Sequence, residues 1–412
     1  VELCYYADYF QVSTGKGHYR QNILKIIQIS ASYKPAYIYG GPIQSVAKLC
    51  EALTDQKIDG EGLIINDLQV LTTTANGTHE LDVAIGKPVS VEGVKVSYFK
   101  RWTKDHSHFS PGLLWALRRK IREIPNAGPV IHIHAWWNLV SVLGCLIAKW
   151  YQVPVVLSPR GMLTVYTQNN RNSFFKRLLH QSIGKNLLQY CHIHATSEQE
   201  KQDVLQIITP KSITVIPNLV NIRQGKWDTS LKPNTFFKLI FLSRIEEKKG
   251  LELLFDALSL LDIDWQLTIA GSGKKEYVDS LKVKAQFLKL NDRINWEGLV
   301  SDQEKYPLMA GHDLLLLTSF NENFANVVIE SLSVGTPVLV SDQVGLSGYV
   351  CEQQLGWVCK LDANDIKETI LSAFNDQEKR QKIRQSAPEI IREDFDDRVL
   401  VNRYLEMYKG LV

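Results

Sequence analysis

The stretch Thr318-Ser-Phe-Asn-Glu322-Asn-Phe-Ala325-Asn-Val-Val-Ile-Glu330-Ser-Leu-Ser-Val-Gly335-Thr-Pro337 decides how this chain is read. It follows the apolar run Leu314–Leu317, which reads as a buried parallel strand, and leads into a helix that Gly335 and Pro337 stop before the next apolar run, Val338–Val340. The order is strand, polar loop, helix, strand. In an open α/β sheet, loops leaving the carboxyl ends of strands are where ligands bind. If the helix begins at Glu322, then Glu330 lies slightly more than two turns on, and the two carboxylates share a face about 12 Å apart. The amides of Phe324, Ala325 and Asn326 then lie between them at the positive end of the helix. Carboxylates accept from sugar hydroxyls and a helix amino terminus receives a diphosphate, so the arrangement suits a sugar nucleotide.

The rest of the chain repeats the alternation. Strands are expected at Ile23–Ser30, Leu63–Ile65, Val94–Phe99, Val130–His134, Pro154–Ser158, Cys191–Thr196 and Ile213–Ile216, with helical patterns between them. Gly40-Gly41-Pro42 opens one of these helices and reads either as a second phosphate-facing helix start, where the glycines permit close approach of a ligand to the backbone, or as an ordinary strand-to-helix turn. Residues 217–236, poor in apolar side chains, read as a linker. Strands resume at Phe237–Leu242, Leu267–Gly271, Arg293–Gly298, Leu314–Leu317 and Val338–Val340. At 412 residues with 45% hydrophobic content, the chain is long enough for two cores, since single cores stop growing beyond about 250 residues. The expected fold is α/β: two doubly wound, Rossmann-like domains facing across a cleft. Residues 23–216 form the first and 237–391 the second, and the segment 392–412 ends in a helix. Residues 1–22 are patternless and carry no fold argument.

Net charge is only +3, but between His106 and Ala195 ten basic residues face the single acid Glu123. That region is a basic surface or lines a basic cleft. The pattern Phe174–Leu188 is amphipathic and basic; packing on a sheet and contact with an anionic membrane both fit it. No aromatic-interleaved basic motif accompanies it, which argues against nucleic acid. Six cysteines without a C-x-x-C pair suggest free thiols in a reducing compartment. The longest apolar run, Leu139–Ala148, is far short of the ~20 residues of a membrane span, and no secretory signal is read at the start. A cytoplasmic protein is expected, with peripheral membrane contact left open.

Ser243-Arg244-Ile-Glu-Glu-Lys-Lys249-Gly250 follows a strand and opens a helix, so Arg244 and Lys249 can project toward a common point and neutralise charge on a departing diphosphate. A solvated charged loop is the competing reading. His132-Ile-His134 ends a strand with both imidazoles on one side, and His192-Ile-His194 repeats the pattern. No third ligand at compatible spacing accompanies either pair, so a metal site is not expected. Asp262-Ile-Asp264 and Asp394-Phe-Asp396 read as a turn and a helix cap.

Together these pieces resemble the family 4 glycosyltransferases, retaining enzymes of the GT-B fold. The resemblance runs from about Ile23 to Val412. It is carried by Gly40-Gly41-Pro42, His132-Ile-His134-Ala-Trp136, Ser158-Pro-Arg160-Gly-Met162, Ile216-Pro-Asn218, Arg244 with Lys249-Gly250, Ala270-Gly271-Ser-Gly273, Glu297-Gly-Leu299-Val300 and Glu322-Asn-Phe-Ala325 to Glu330. It implies that Arg244 and Lys249 hold the donor diphosphate, Glu330 the ribose and Glu322 the donor sugar. Asn323 and the amides of Phe324, Ala325 and Asn326 would complete the donor site, Leu299 would flank the base, and Gly271 would end a donor-side strand. Gly41 and His134 would line the amino-terminal side, with Arg160 and Trp136 toward the acceptor. The resemblance further implies a UDP- or GDP-sugar donor, a glycan or lipid-linked acceptor, no cofactor and no metal, and a last helix crossing back to the first domain. A sugar-nucleotide epimerase and a non-catalytic sugar-nucleotide-binding protein are the alternatives. The family's usual Glu-Asn-Phe-Gly is Glu-Asn-Phe-Ala325 here, and an alanine suits that amide only if its φ is negative.

Overall fold

A computed structural model describes residues 23–55, 64–123, 129–164, 184–223, 225 and 236–412. Two open sheets organise it. The first has eight strands in the order β10-β9-β8-β7-β1-β2-β6-β5. They are β1 (Ile23–Ser30), β2 (Ile64–Thr73), β5 (Pro88–Val91), β6 (Val94–Phe99), β7 (Val130–His134), β8 (Val155–Ser158), β9 (His192–Ala195) and β10 (Ser212–Val215), with a small hairpin of β3 (Ala75–Asn76) and β4 (His79–Glu80) beside them. All pair in parallel except β5, which turns back on β6. The second sheet is wholly parallel, in the order β13-β12-β11-β14-β15-β16. Its strands are β11 (Phe237–Leu242), β12 (Trp265–Ala270), β13 (Ile294–Gly298), β14 (Leu314–Leu317), β15 (Val338–Ser341) and β16 (Gly356–Cys359).

Local sequence explains the elements. Leu314–Leu317 is buried on both faces, as an unbroken apolar run in a parallel sheet must be. The Gly41–Asp55 helix buries Ile43, Val46, Ala47, Cys50 and Leu53, one stripe at three- and four-residue spacing, and Pro42 occupies its first turn. Asn138 caps Leu139–Trp150 by accepting from the Ser141 amide at 2.9 Å, and Asp396 caps Asp397–Lys409 by accepting from the Arg398 amide at 2.9 Å. Both sheets are covered by helices, and burial of these apolar faces stabilises them at roughly 25 cal/mol per Å².

Some expectations shift. The strand read at Leu63–Ile65 continues to Thr73; buried Gln69, Thr72 and Thr73 had masked it, because an inner strand covered on both faces need not alternate. Two edge strands, β5 and β16, were not foreseen. The expected linker begins as packed core, with Leu219 and Val220 buried, and most of 226–236 lies outside the described residues, as do residues 1–22. Of the amphipathic pattern Phe174–Leu188, only a helix at Lys185–Tyr190 is described.

The carboxyl edge of the second sheet is unusually tight. A side chain at Gly250 (φ +70°) would run into the Thr318 carbonyl, one at Gly271 (φ +149°) into that of Ser243, and one at Gly345 into that of Asn323. These loops therefore lie backbone on backbone. The helix Asp397–Lys409 packs back on the first sheet: Asp397 pairs with Lys48 at 2.6 Å, Arg403 donates to the Val215 carbonyl at 2.7 Å, and Tyr404 and Tyr408 are buried against His132 and His194. No described helix is long and apolar enough to cross a membrane.

Candidate active site

The loop after β14 does not continue as helix from Glu322. It pairs by an isolated bridge with Val344, and the helix begins only at Asn326 and ends at Ser333. Glu322 and Glu330 therefore do not share a helix face, contrary to the expected spacing. Ala325 is the residue at which the chain turns into the helix, and it does so in the left-handed region, at φ +67°, ψ +71°. The condition of a negative φ is not met. The position has the geometry of a glycine, and its Cβ costs about 1–2 kcal/mol of strain. The Val328 amide bonds back to the Ala325 carbonyl at 2.9 Å, and the amides before it lie in the first turn, which has no intrahelical acceptor for them.

Each expected carboxylate has a lysine. Glu322 pairs with Lys249, which is only 6% exposed. Burial pushes the Glu322 carboxyl up, but the charges of Lys249 and Lys248, the Lys249 hydrogen bond and Arg244 outweigh it and hold the carboxyl below its ordinary value. It is an anion at neutral pH. Glu330 is held by Lys305 at 2.9 Å, and Lys305 also meets Asp302 at 2.9 Å. Here burial prevails over Lys305, and the Glu330 carboxyl is raised. Arg244, on the loop after β11, pairs with Glu246 at 2.8 Å and lies across from Gly40, whose missing Cβ would stand 3.4 Å from its Nε. Gly41, the first residue of its helix, faces the Asn326 side chain, its missing Cβ standing 4.0 Å from Nδ2. Two helix amino termini, one from each half, thus meet with Arg244 beside them. Their partial positive charges favour an anion.

Several expected residues have other tasks. Asn323 donates from Nδ2 to Thr196 Oγ1 at 2.7 Å, and its carbonyl accepts from Ser197, so its side chain joins the two halves and is not a free donor-site group. Asn326 accepts from Asn218 Nδ2 at 3.3 Å. The Phe324 ring is buried edge-on against Phe395, leaving only its amide for a ligand. Leu299 is 82% exposed beyond the end of β13. Trp136, expected on the acceptor side, is buried in the core of the first half, where packing of its large apolar ring prevails; it supports the cleft and does not line it. His134 is likewise buried, with both ring nitrogens engaged: Nε2–H donates to Gln28 Oε1 at 2.7 Å, and Nδ1 accepts from Arg160 at 3.3 Å. Arg160 also donates to Ser45 Oγ at 3.0 Å and Asn218 Oδ1 at 3.2 Å, so that His134, Ser45 and Asn218 are all neutral acceptors.

Sequence reasoning missed Lys305 and Thr196, and quoted Asn218 only as part of Ile216-Pro-Asn218, without a role. An Asn after Ile-Pro and a Lys opening a short helix are common surface patterns, and nothing in their spacing ties them to Glu330 or Asn326. It also missed the polar core under the cleft. His132, His134 and His194 are buried and held well below their ordinary range, His194 to about 3, chiefly by burial and then by one another and Arg160.

Two outcomes follow. Ala325→Gly should stabilise the protein by about 1 kcal/mol in urea unfolding, because glycine adopts this φ freely; a loss of stability would contradict the strain. As pH falls below about 6.5, the unfolded chain takes up protons on these three imidazoles while the folded one does not. Stability should therefore decline between pH 7.5 and 5.5, by up to about 1.4 kcal/mol per pH unit for each imidazole. His108, His192 and His312, also lowered chiefly by burial, add to the decline, and the raised carboxyls of Glu330, Glu51 and Asp203 oppose it. A flat unfolding free energy over that window would show that the imidazoles are not held neutral.

Comparison with known proteins agrees with this fold. The family model described as Glycosyltransferase Family 4 matches residues 39–224, and that described as Glycosyl transferases group 1 matches residues 225–390. The chain is 25% identical over 270 residues to the D-inositol 3-phosphate glycosyltransferase of Pseudarthrobacter chlorophenolicus, a match covering 60% of this chain and 63% of that one. It is 25% identical over 317 residues to the GDP-mannose:cellobiosyl-diphosphopolyprenol alpha-mannosyltransferase of Xanthomonas campestris, covering 73% and 76%. Among solved structures, Anabaena HepE in complex with UDP and glucose superposes with a TM-score of 0.67 at 18% identity, over 94% of this chain and 100% of that one. With two facing Rossmann-like halves and matching family models across both, the chain belongs to the family 4, group 1 glycosyltransferases and has their GT-B fold.

Proposed function

We propose that this glycosyltransferase moves a hexosyl group, with retention of configuration, from a UDP- or GDP-sugar to a hydroxyl of a glycan or lipid-linked acceptor, in assembly of a bacterial surface polysaccharide or glycolipid. The observation that carries the reading is the meeting of the Gly41 and Asn326 helix starts, with Arg244 and the Lys249–Glu322 pair at the same edge. A diphosphate placed there meets backbone donors and two fixed cations, so charge developing on the leaving group is neutralised without a metal. Glu330, anchored by Lys305, accepts from the ribose hydroxyls, and Glu322, ionised beside Lys249, accepts from the donor sugar. The bond between the anomeric carbon and the diphosphate oxygen breaks. The acceptor oxygen bonds to the same face, and the departing phosphate takes the acceptor's proton. Arg160, hydrogen-bonded to the neutral His134, Ser45 and Asn218, retains its charge for an anionic group on the acceptor.

A peripheral membrane contact fits such an acceptor, and the described residues offer a face beside the one the sequence suggested. Arg160 lies inside the cleft, and 171–183 are outside the described residues. The helices Pro111–Arg122 and Leu139–Trp150 instead expose Trp115 and Trp150, with Arg119 over the Trp115 ring, Arg118 bonded to Tyr151 and Lys149 over Tyr190. Aromatic side chains ringed by cations suit an anionic bilayer surface.

Slow hydrolysis of a panel of UDP- and GDP-sugars should fall at least ~100-fold in Glu322→Ala, with Glu322→Gln as the folding control. Equal donor cleavage in wild type and both variants would remove Glu322 from the donor site. The chain should sediment with phosphatidylglycerol vesicles at low salt, release at high salt, and lose binding in a Trp115→Ala, Arg119→Ala double variant. Absence of wild-type binding would exclude the membrane contact and leave the donor chemistry untouched.

A further inference from the structure

Under the cleft, a row of buried side chains runs from Arg160 to a backbone carbonyl, and its chemistry admits one direction only. Arg160 can only donate, so His134 Nδ1 is an acceptor, and its Nε2–H donates to Gln28 Oε1 at 2.7 Å. The amide nitrogen of Gln28 then donates to the Tyr408 hydroxyl oxygen at 3.4 Å, and the Tyr408 O–H donates to His132 Nδ1 at 2.7 Å. His132 Nε2–H donates to Ser158 Oγ at 2.6 Å, and the Ser158 O–H to His194 Nδ1 at 2.6 Å. The row ends where His194 Nε2–H donates to the Ile216 carbonyl at 2.8 Å. Starting from the other end returns the same assignment, since a carbonyl can only accept. Two independent terminal constraints agree, and every imidazole is neutral with its proton on Nε2.

Tyr408 is the one member of this row contributed by the helix Asp397–Lys409; every other member belongs to the first half of the chain. Its hydroxyl is both acceptor and donor, so it passes the direction from Gln28 to His132. The row also reaches the donor site, because Arg160 donates to Asn218, which donates to Asn326 at 3.3 Å. We infer that Tyr408 is a positioning residue: its hydroxyl holds Gln28, and through it the ring of His134 and the guanidinium of Arg160, in the orientation the cleft uses, so that seating of the helix Asp397–Lys409 is read out at Arg160. The inference rests on the proposed glycosyl transfer for its consequence in catalysis, but not for the coupling itself.

Tyr404 provides the control. It lies one turn earlier on the same helix, is equally buried, and touches His194 Nε2 at 3.0 Å, where the proton already has the Ile216 carbonyl as acceptor. Its hydroxyl passes nothing along. Tyr408→Phe and Tyr404→Phe each delete one hydroxyl from a buried ring.

Imidazole ¹⁵N spectra of the full-length protein should show the three buried histidines as Nε2–H tautomers. Tyr408→Phe should shift the His134 ring signals, although residue 408 does not touch that ring, while Tyr404→Phe leaves them in place. Hydrolysis of whichever nucleotide sugar the wild type cleaves should show kcat about tenfold lower in Tyr408→Phe with KM little changed, and wild-type values in Tyr404→Phe. Unmoved His134 signals in Tyr408→Phe, or equal effects of the two variants on signals or kcat, would overturn the positioning role. If the wild type cleaves no nucleotide sugar, the proposed transfer fails and the spectra alone decide the coupling.

Discussion

Backbone lying directly on backbone at the carboxyl edge of the second sheet is the constraint on which the rest depends. Gly250 against the Thr318 carbonyl, Gly271 against Ser243 and Gly345 against Asn323 bring the loops closer than any side chain permits. The loops after β11 and β14 then become neighbours, and Lys249 on one reaches Glu322 on the other. Without this approach, the two charges would be separate groups on separate loops. With it they form one partly buried pair whose partners fix each other, so that removing either leaves an uncompensated charge. The same approach places the Asn326 helix start opposite the Gly41 helix start of the other half.

The cleft is held by polar contacts that differ in kind from those inside each half. Asn323 with Thr196, Asn218 with Asn326 and Arg244 beside Gly40 are hydrogen bonds or close approaches between small groups, while Phe395 and the helix Asp397–Lys409 supply the apolar contact. Directional contacts facing the ligand and non-directional burial behind it suit a site in which two surfaces must align to fractions of an ångström.

The architecture was legible because its signals are local. Leu314–Leu317, Phe237–Leu242 and Val130–His134 are apolar runs of strand length, each followed by a polar turn, and both the sheet and the ligand-facing loop follow from that pattern. Glu322, Lys249 and Arg244 were found for the same reason, and the observed structure brings them to one edge, whereas the helix start expected at Glu322 lies at Asn326. Roles that depend on side-chain direction were not legible. Trp136 and His134 follow a strand that ends at the cleft, but the turn at Ala135, with φ +70°, sends the tryptophan into the core. Asn323 lies next to Glu322 in sequence, yet it points to the other half. The partners of the buried histidines lie up to hundreds of residues away, and Tyr404 and Tyr408 read as ordinary members of an apolar helix face. Ala325 was legible as a departure; that it keeps a glycine's conformation required the fold.

The aligned row under the cleft has an electrical consequence. Each hydrogen bond in it runs in one sense, from donor to acceptor, away from Arg160 toward the Ile216 carbonyl, and bonds so chained polarise one another. The acceptor lone pair of His134 Nδ1 lies against the guanidinium. A buried cation ordinarily calls for a carboxylate, which would cancel its charge and its attraction for an incoming anion. A neutral row with its acceptor end forward solvates Arg160 at hydrogen-bond distance, while the buried carboxylate of Glu200, held by the Gly161 amide, acts on the guanidinium without bonding to it.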